Sequence, residues 1–167
     1  MRQATARGKG AVGRHPLCYR EAARRAPRIY AHKKRKLTLL DYGYGTGDQA
    51  AQLLQDLTTE GTEALIVHYD LHPSYRDPAR DGRRYDLVIA SNVLNVQETE
   101  EQLSRTLQHL HNISLHSGCQ VLCNYPNSPR KLGINLATMK ERIEAAGFTI
   151  SRAHGYKSPV FYLTPHT

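Results

Sequence analysis

The sequence lacks tryptophan and has only two phenylalanines and three cysteines among its 167 residues. Cys18, Cys119 and Cys123 are too few for a disulfide-stabilised secreted scaffold, and no apolar N-terminal run resembles a signal peptide. No window approaches the roughly 18 consecutive apolar residues of a membrane span. We therefore expect a cytoplasmic protein without a membrane partner, and the length fits one ordinary domain.

Acidic residues are scarce in residues 1–36, where Glu21 is the only one beside 12 Lys+Arg. This segment has a net charge of +11, whereas residues 37–167 hold 11 Lys+Arg and 14 Asp+Glu, a net charge of −3. The formal charge of +8 therefore belongs to the N-terminal segment. The pattern predicts a basic N-terminal arm at 1–36 and a folded domain at 37–167.

Short apolar runs alternate with segments of helical periodicity after residue 36. The alternation predicts an α/β fold, with a mostly parallel sheet between two layers of helices and a final hairpin. Residues 71–84 are too short for a regular helix plus strand, so one sheet edge is expected to be abbreviated. Thr99 and Thr138 are predicted to cap the two later helices, because each is followed three residues on by Gln or Glu. The predicted strands are 37–40, 64–70, 85–90, 119–124, 148–152 and 160–163.

The loop after the first predicted strand contains Gly43, Gly45 and Gly47. The dinucleotide fingerprint GxGxxG requires glycine at position 48, where this chain has Asp48. A carboxylate at a helix start also competes with a phosphate for the same position. No Lys-Ser or Lys-Thr follows the glycines, which excludes the phosphate-binding loop of nucleotide triphosphatases. The loop therefore predicts a ligand without phosphates.

Two acids flank this loop. Asp41 lies two residues before Gly43, and Asp70 ends the second predicted strand. Asp70 stands where open α/β sheets place the carboxylate that accepts hydrogen bonds from ribose hydroxyls. Asp41 could otherwise cap the following helix, and Asp70 could be a solvated strand end. A ligand with a ribose, an amino acid end and a sulfonium centre matches both acids, which indicates S-adenosylmethionine.

These segments together resemble the class I S-adenosylmethionine-dependent methyltransferase family. The resemblance rests on D-x-G-x-G-x-G at 41–47, on Asp70, on a fourth-strand motif at 85–90 and on a helix end that turns into a strand at 145–150. It covers roughly residues 37–165. It implies a Rossmann-like three-layer sandwich whose mostly parallel sheet has an antiparallel last strand and an abbreviated third-strand edge. It also implies methyl transfer from S-adenosylmethionine.

The resemblance places the cofactor at the carboxyl ends of the central strands. Methyl transfer is an in-line displacement that needs mainly alignment, so no catalytic side chain is obligatory. Asn92 and Asn95 follow the fourth-strand motif and are the catalytic candidates, although Asn also forms turns readily. Asp77 or Asp81 is a candidate for the adenine-side acid of the shortened third strand. The implied cofactor-binding residues are Asp41, Gly43, Tyr44, Gly45, Gly47, Asp70, Leu71, Ser91 and Asn92.

The loop at 91–95 reads Ser-Asn-Val-Leu-Asn and lacks the proline pair of the DNA amino-methyltransferase motif [DNS]-P-P-[YFW]. Together with residues 8–14, the segment 93–96 is more similar to compact methyltransferases of bacteria and phages, some of them associated with DNA phosphorothioation.

The basic arm offers a choice of partner. Arg-rich segments neutralise phosphates and often fold on binding, which favours a nucleic acid acceptor. A solvated tail, or a helix that lies over the cofactor, is the alternative. If residues 17–30 are helical, Arg20, Arg24 and Arg28 form one basic stripe. The candidate substrate contacts are Arg14, Arg20, Arg24 and Tyr125.

Other chemistry is less favoured by the sequence. Cys123 could be the nucleophile of a cytosine C5 enzyme, but a buried strand cysteine is more often a packing residue. His109 and His111 point to different faces of a helix, and no CxxC or HExxH occurs, so no metal site is predicted. A small-molecule methyltransferase and a non-catalytic cofactor-binding partner protein remain the alternatives to a nucleic acid methyltransferase.

Overall fold

A computed structural model describes residues 16–43, 45, 47–126, 131–153 and 159–167. Arg14 and Tyr44, two of the predicted site residues, lie outside the described residues. No helix in the described ranges is long and apolar enough to cross a membrane. The helices are α1 (Leu17–Lys33), α2 (Asp48–Thr59), α3 (Glu100–Ser117) and α4 (Leu136–Ala145). The strands are β1 (Leu37–Tyr42), β2 (Ala64–Tyr69), β3 (Leu87–Ala90), β4 (Val121–Asn124), β5 (Phe148–Arg152) and β6 (Val160–Pro165).

The six strands form one sheet in the order β2-β1-β3-β4-β6-β5. Neighbouring strands from β2 to β4 are parallel, and β6 is antiparallel to both β4 and β5. The predicted sheet, parallel apart from its last strand, is therefore confirmed. Residues 71–86 contribute no strand, so β2 forms the edge that was expected to be abbreviated. The four parallel strands end along one side of the sheet, here called the carboxyl edge.

Helices cover both faces of the sheet. Along β1 the side chains alternate between the faces, so Leu39 packs under α1 and α2 whereas Leu40 packs under α3 and α4. The second face is held by an apolar stripe of α3 at helical spacing, which includes Leu103, Leu107 and Leu110. The fold is thus the three-layer sandwich predicted from the sequence.

Helix α1 is part of the folded domain. Cys18, Tyr19, Ala22 and Ala26 are all buried against the sheet, at the spacing of one helical face. Residues 16–36 therefore do not form a separate arm, in contrast to the predicted division at residue 36. A count of charges does not reveal this stripe, because many arginines surround the buried residues in the sequence. Residues 1–15 lie outside the described part of the chain.

The ends of the later helices follow local hydrogen bonding. Thr99 caps α3 as predicted, because its side chain accepts a hydrogen bond from the backbone N–H of Gln102. The predicted cap of α4 is wrong: Asn135, rather than Thr138, precedes the helix and accepts the bond from the N–H of Thr138. Thr138 thus lies inside the first turn, and the helix begins at Leu136.

Candidate functional site

The glycine loop turns the chain sharply from β1 into α2. Gly43, Gly45 and Gly47 have φ angles of 73°, 66° and 87°, in the left-handed region that favours glycine. The N–H of Gly43 donates to the carbonyl of Tyr69 at 2.6 Å, which ties the loop to the end of β2. Gly47 immediately precedes α2. The three glycines therefore keep backbone, rather than side chains, at the start of the carboxyl edge.

Asp41 is fully buried beside this loop, with 0% of its surface exposed. The hydroxyl of Tyr19 on α1 donates to Oδ1 of Asp41 at 2.5 Å. Oδ2 has no hydrogen-bond partner among the described residues. Burial raises the pKa of Asp41 to about 7; the Tyr19 hydrogen bond opposes this shift and the negative charge of Asp70 adds to it. A buried carboxylate oxygen without a partner is costly, and it fits a ligand that brings a positive charge or an N–H group.

Asp70 follows β2 and is also buried. Its Oδ1 accepts a hydrogen bond from the backbone N–H of Leu71 at 2.8 Å. The side chain of Leu71 is 66% exposed, an unusual fraction for leucine that leaves an apolar surface beside the carboxylate. Parallel register places Asp41 opposite His68, so Asp41 and Asp70 stand at the ends of adjacent strands. The structure thus brings the two predicted acids together.

A cavity of about 290 Å³ opens next to Leu71 on the α3 face. Its walls include the rings of Tyr42 and Tyr69, which lie 5.1 Å apart between centroids. On the opposite side α3 contributes Arg105 and His109. An aromatic surface next to Asp70, the predicted ribose-binding carboxylate, suits a planar base.

A chain of hydrogen bonds connects two residues of the cavity wall, Tyr42 and His109, to the segment after β2. The Tyr42 hydroxyl lies 2.8 Å from Nδ1 of His109, and Nε2 of His109 lies 2.6 Å from Oδ1 of Asp77. Asp81 accepts a hydrogen bond from the Tyr85 hydroxyl at 2.7 Å. Both predicted adenine-side acids are therefore engaged in holding the 71–86 segment, and the adenine-side role stays a prediction.

Two asparagines are locked together at the ends of β3 and β4. The N–H of Asn92 donates to Oδ1 of Asn124 at 2.7 Å, and Nδ2 of Asn124 donates to Oδ1 of Asn92 at 2.8 Å. Asn92 has a φ of 55°, a left-handed conformation that Asn tolerates better than most residues. Cys18 of α1 adds a thiol hydrogen bond to Oδ1 of Asn124 at 3.5 Å. Ser91, before Asn92, is buried. Asn124 thus fixes the direction of the predicted site residue Asn92.

Sequence reasoning missed Tyr19, Cys18 and Asn124. Asn124 had a signal, since it ends a predicted strand next to the fourth-strand motif, and parallel strands bring such ends together. Tyr19 and Cys18 were obscured because they stood in a segment interpreted as an arm. Their spacing with Ala22 and Ala26 was the signal for a packed helix.

The remaining candidates are distributed unevenly. Asn95 lies in a single 3-10 turn at Leu94–Val96, and its Oδ1 is buried without a partner among the described residues. Tyr125 is buried and its hydroxyl donates to the carbonyl of Ile134 at 2.6 Å, so it holds the loop before α4. The substrate contact at Tyr125 stays a prediction. Arg24 makes two hydrogen bonds to the buried Glu21, whereas Arg20 is exposed.

Two alternatives from the sequence, a cysteine nucleophile and a metal site, concern Cys123 and the His, Cys, Asp and Glu side chains. Cys123 is buried, and burial raises the pKa of its thiol to about 12, so it stays protonated at neutral pH. The described residues contain no group of three His, Cys, Asp or Glu side chains that could hold a metal ion.

The chain is similar in fold to solved structures, although no family model and no curated protein matches its sequence. The CMeT domain of the citrinin polyketide synthase has a TM-score of 0.59 and 14% identity, over 78% of this chain and 46% of that one. For the bifunctional kinase-methyltransferase WbdD the TM-score is 0.61 and the identity 13%, over 89% of this chain and 39% of that one. Streptomyces venezuelae DesVI has a TM-score of 0.56 and 14% identity, over 96% and 97% of the two chains.

This chain therefore spans less than half of the first two structures and nearly all of the third. At such low identities the likeness concerns the fold alone. The resemblance to the compact bacterial and phage subgroup stays a prediction. The described residues have the Rossmann-like α/β fold of methyltransferase structures.

Proposed function

We propose that this protein binds S-adenosylmethionine at the carboxyl edge and transfers its methyl group to a nucleic acid. The observation that carries the cofactor assignment is the buried Oδ2 of Asp41 beside the glycine loop, to which no side chain or backbone group of the described residues donates a hydrogen bond. A cationic ligand would remove the cost of this orphan oxygen. Asp70, at the end of the adjacent strand, would accept hydrogen bonds from the ribose hydroxyls.

The remaining parts of the site fit the same ligand. The cavity walled by Tyr42, Tyr69 and Leu71 suits the adenine ring, and the backbone of the glycine loop leaves room for the amino acid end. When bound, S-adenosylmethionine supplies a methyl group on a sulfonium centre, a good leaving group. The residues of the chain then have to align an acceptor and exclude water. Asn92 suits the first task, because Asn124 donates to its side-chain carbonyl oxygen and so fixes the direction of the amide that we expect to meet the acceptor.

The acceptor assignment rests on charge. Arg20, Arg24 and Arg28 are exposed on α1 at intervals of four residues and form one basic stripe. The helix begins at the carboxyl edge, where Tyr19 contacts Asp41, so the stripe starts beside the proposed methyl donor. A row of arginines next to the reaction centre suits a phosphate backbone. This supports a nucleic acid acceptor over a small molecule.

Calorimetry with S-adenosylmethionine tests the cofactor assignment. We expect binding by the wild-type protein and a loss of at least about tenfold in affinity for Asp41→Asn and Asp70→Ala, because each removes a charge that faces the donor. Asp56→Asn, which changes an exposed carboxylate on α2, is the matched control and should bind normally. Failure of the wild type to bind millimolar S-adenosylmethionine would refute the assignment.

Transfer of a labelled methyl group to total RNA and DNA tests the acceptor. Replacing Arg20 and Arg28 by Gln should weaken nucleic acid binding and reduce the slope of log affinity against log salt by about 2, since each lost phosphate contact removes roughly one counterion. Lys131→Gln with Lys140→Gln, on the α4 side, is the control of equal charge. Equal salt slopes for the two double variants would exclude the stripe as the binding surface.

A further inference from the structure

Helix α1 contacts Asp41 at the proposed donor site through the side chain of Tyr19. Tyr19 is 1% exposed, and its hydroxyl is the hydrogen-bond donor to the carboxylate of Asp41. Asp41 is the penultimate residue of β1, just before the glycine loop. Its side chain lies on the face of the sheet that α1 covers, not on the α3 face. The position of α1 against the sheet therefore determines the orientation of the Asp41 carboxylate.

The groups around Asp41 determine how strongly this hydrogen bond affects the ionisation of its carboxyl group. The titratable groups near the carboxylate are Tyr19 and Cys18 on α1, His68 opposite it on β2, and Asp70 beyond the end of β2. Asp70 is negative and repels a charge on Asp41. Burial lowers the pKa of His68, so this ring does not supply a compensating positive charge at neutral pH. Among these groups Tyr19 is the one whose contact favours the ionised form of Asp41.

The same helix contains a tyrosine with the same kind of bond in a different place. Tyr30 donates to Oε1 of Glu63 at 3.1 Å in a solvent-exposed hydrogen bond, eleven residues further along the helix than Tyr19. Tyr30 thus provides a matched comparison, since removal of its hydroxyl also deletes one Tyr–carboxylate hydrogen bond of α1.

We propose that Tyr19 is a positioning residue for the methyl donor: its hydroxyl aims the carboxylate of Asp41 and holds it ionised, so that Oδ2 presents a negative charge to the cationic end of the donor. This inference rests on the proposed function. It assigns to α1 a part in donor binding, in addition to the acceptor contacts proposed for the opposite face of the helix. Loss of the hydroxyl removes the contact that favours ionisation, so a larger fraction of Asp41 is protonated at neutral pH and its attraction for a cation is weaker.

The experiment compares the wild type, Tyr19→Phe and Tyr30→Phe. Calorimetry measures the affinity for S-adenosylmethionine and for S-adenosylhomocysteine between pH 6 and pH 9. In Tyr19→Phe we expect an affinity about tenfold lower at pH 7, since a hydrogen bond to a charged group contributes that much, and recovery toward wild-type affinity at pH 9. Tyr30→Phe should follow the wild type throughout. The titration of the ligand itself is common to all three proteins and cancels from the affinity ratios.

A second readout needs no ligand. Carbon-13 NMR of the Asp carboxyl groups in the free protein, with Asp41 assigned through Asp41→Asn, measures the titration midpoint of Asp41 directly. The midpoint should rise by about one pH unit in Tyr19→Phe and stay unchanged in Tyr30→Phe. Circular dichroism and thermal melting establish that each variant is folded.

Several outcomes overturn the proposal. An affinity of Tyr19→Phe within twofold of the wild type at every pH shows that Tyr19 does not act on the donor. An equal loss at every pH, with an unmoved Asp41 midpoint, shows a merely structural hydroxyl. Both results presuppose donor binding by the wild type. Absence of that binding refutes the proposed function itself.

Discussion

A buried aspartate lies at the carboxyl edge of the sheet and another at the opposite edge, where the parallel strands begin, and their hydrogen bonding differs. At the carboxyl edge, Asp41 accepts one hydrogen bond from Tyr19, and its Oδ2 has no partner among the described residues. At the other edge, Asp86 accepts two hydrogen bonds from the guanidinium of Arg35, at 3.0 and 2.8 Å, and one from the N–H of Thr38 at 2.8 Å. Burial disfavours charge in both places, but at Asp86 the hydrogen bonds outweigh it and its pKa lies below the ordinary value.

The comparison separates a carboxylate that stabilises the fold from one kept for a ligand. Asp86 fastens the segment after α1 to the start of β3 and has its partners within the chain. Asp41 is no less buried, yet it forms no ion pair within the part of the chain that the structure describes, and its pKa is raised to about 7. A fold retains such an unfavourable group most readily where a partner from outside completes it.

The largest difference between the edges should appear in stability against pH. Asp41 has a folded pKa of about 7 against an ordinary value of 3.8, so the folded protein binds more protons than the unfolded chain between these values. Ionisation of Asp41 therefore costs stability as pH rises from about 4 to 7. Asp41→Asn should be more stable than the wild type at pH 8, by at most about 4 kcal/mol.

Urea unfolding at pH 5, 6.5 and 8 measures this difference without any ligand. The advantage of Asp41→Asn should grow with each step in pH. A constant difference, or one that shrinks toward pH 8, would show that Asp41 is not held against its ionisation. A fixed high concentration of S-adenosylmethionine should stabilise the wild type more than Asp41→Asn, by about 1.4 kcal/mol for a tenfold difference in affinity.

Asp86→Asn should have the reverse pH dependence. The folded pKa of Asp86 is depressed, so its contribution is complete above the unfolded pKa and disappears as pH falls through the folded value. The substitution removes the charge that faces Arg35, whose side chain is about half exposed. We expect a loss of about 1–2 kcal/mol at pH 7, smaller than for a fully buried ion pair, and a smaller loss at pH 3.

The same urea series checks this expectation, with Arg35→Gln as a second route to the same bond. The double variant should lose less than the sum of the two single variants, because both delete one interaction. Additive losses would mean that Asp86 stabilises the edge through Thr38 instead.

The sheet and most of its helices were predictable because each element has its own local signal. The glycine loop, the apolar runs and the Thr99 cap each depend on residues that are close together in the chain, so a single sequence is enough to recognise them. Helix α1 could be predicted only in part from such local signals. Its basic residues fill the exposed face, and the four small or aromatic residues that it buries are few enough to be overlooked in a count of charges.

The positions of the site residues along the backbone could be predicted from the sequence, but their side-chain contacts could not. Gly43, Asp41 and Asp70 belong to a spacing that defines one strand end and the next, so they could be placed together. Tyr19 and Asn124 act across the chain, 22 residues from Asp41 and 32 from Asn92. Such pairs depend on how α1 and β4 pack, and no local pattern records that arrangement.

The smallest expected effect concerns the polar pair that accompanies Asp41 at the carboxyl edge. Asn124→Ala removes both bonds to Asn92 and leaves its left-handed backbone without support. We expect a loss of about 1 kcal/mol in the free energy of unfolding, and Asn92→Gly in the same chain should restore most of it, since glycine adopts a φ of 55° without strain. Methyl transfer should not return with stability, because the side chain of Asn92 is then absent. Recovery of both in the double variant would remove Asn92 from the reaction and leave this edge with the donor-binding acids alone.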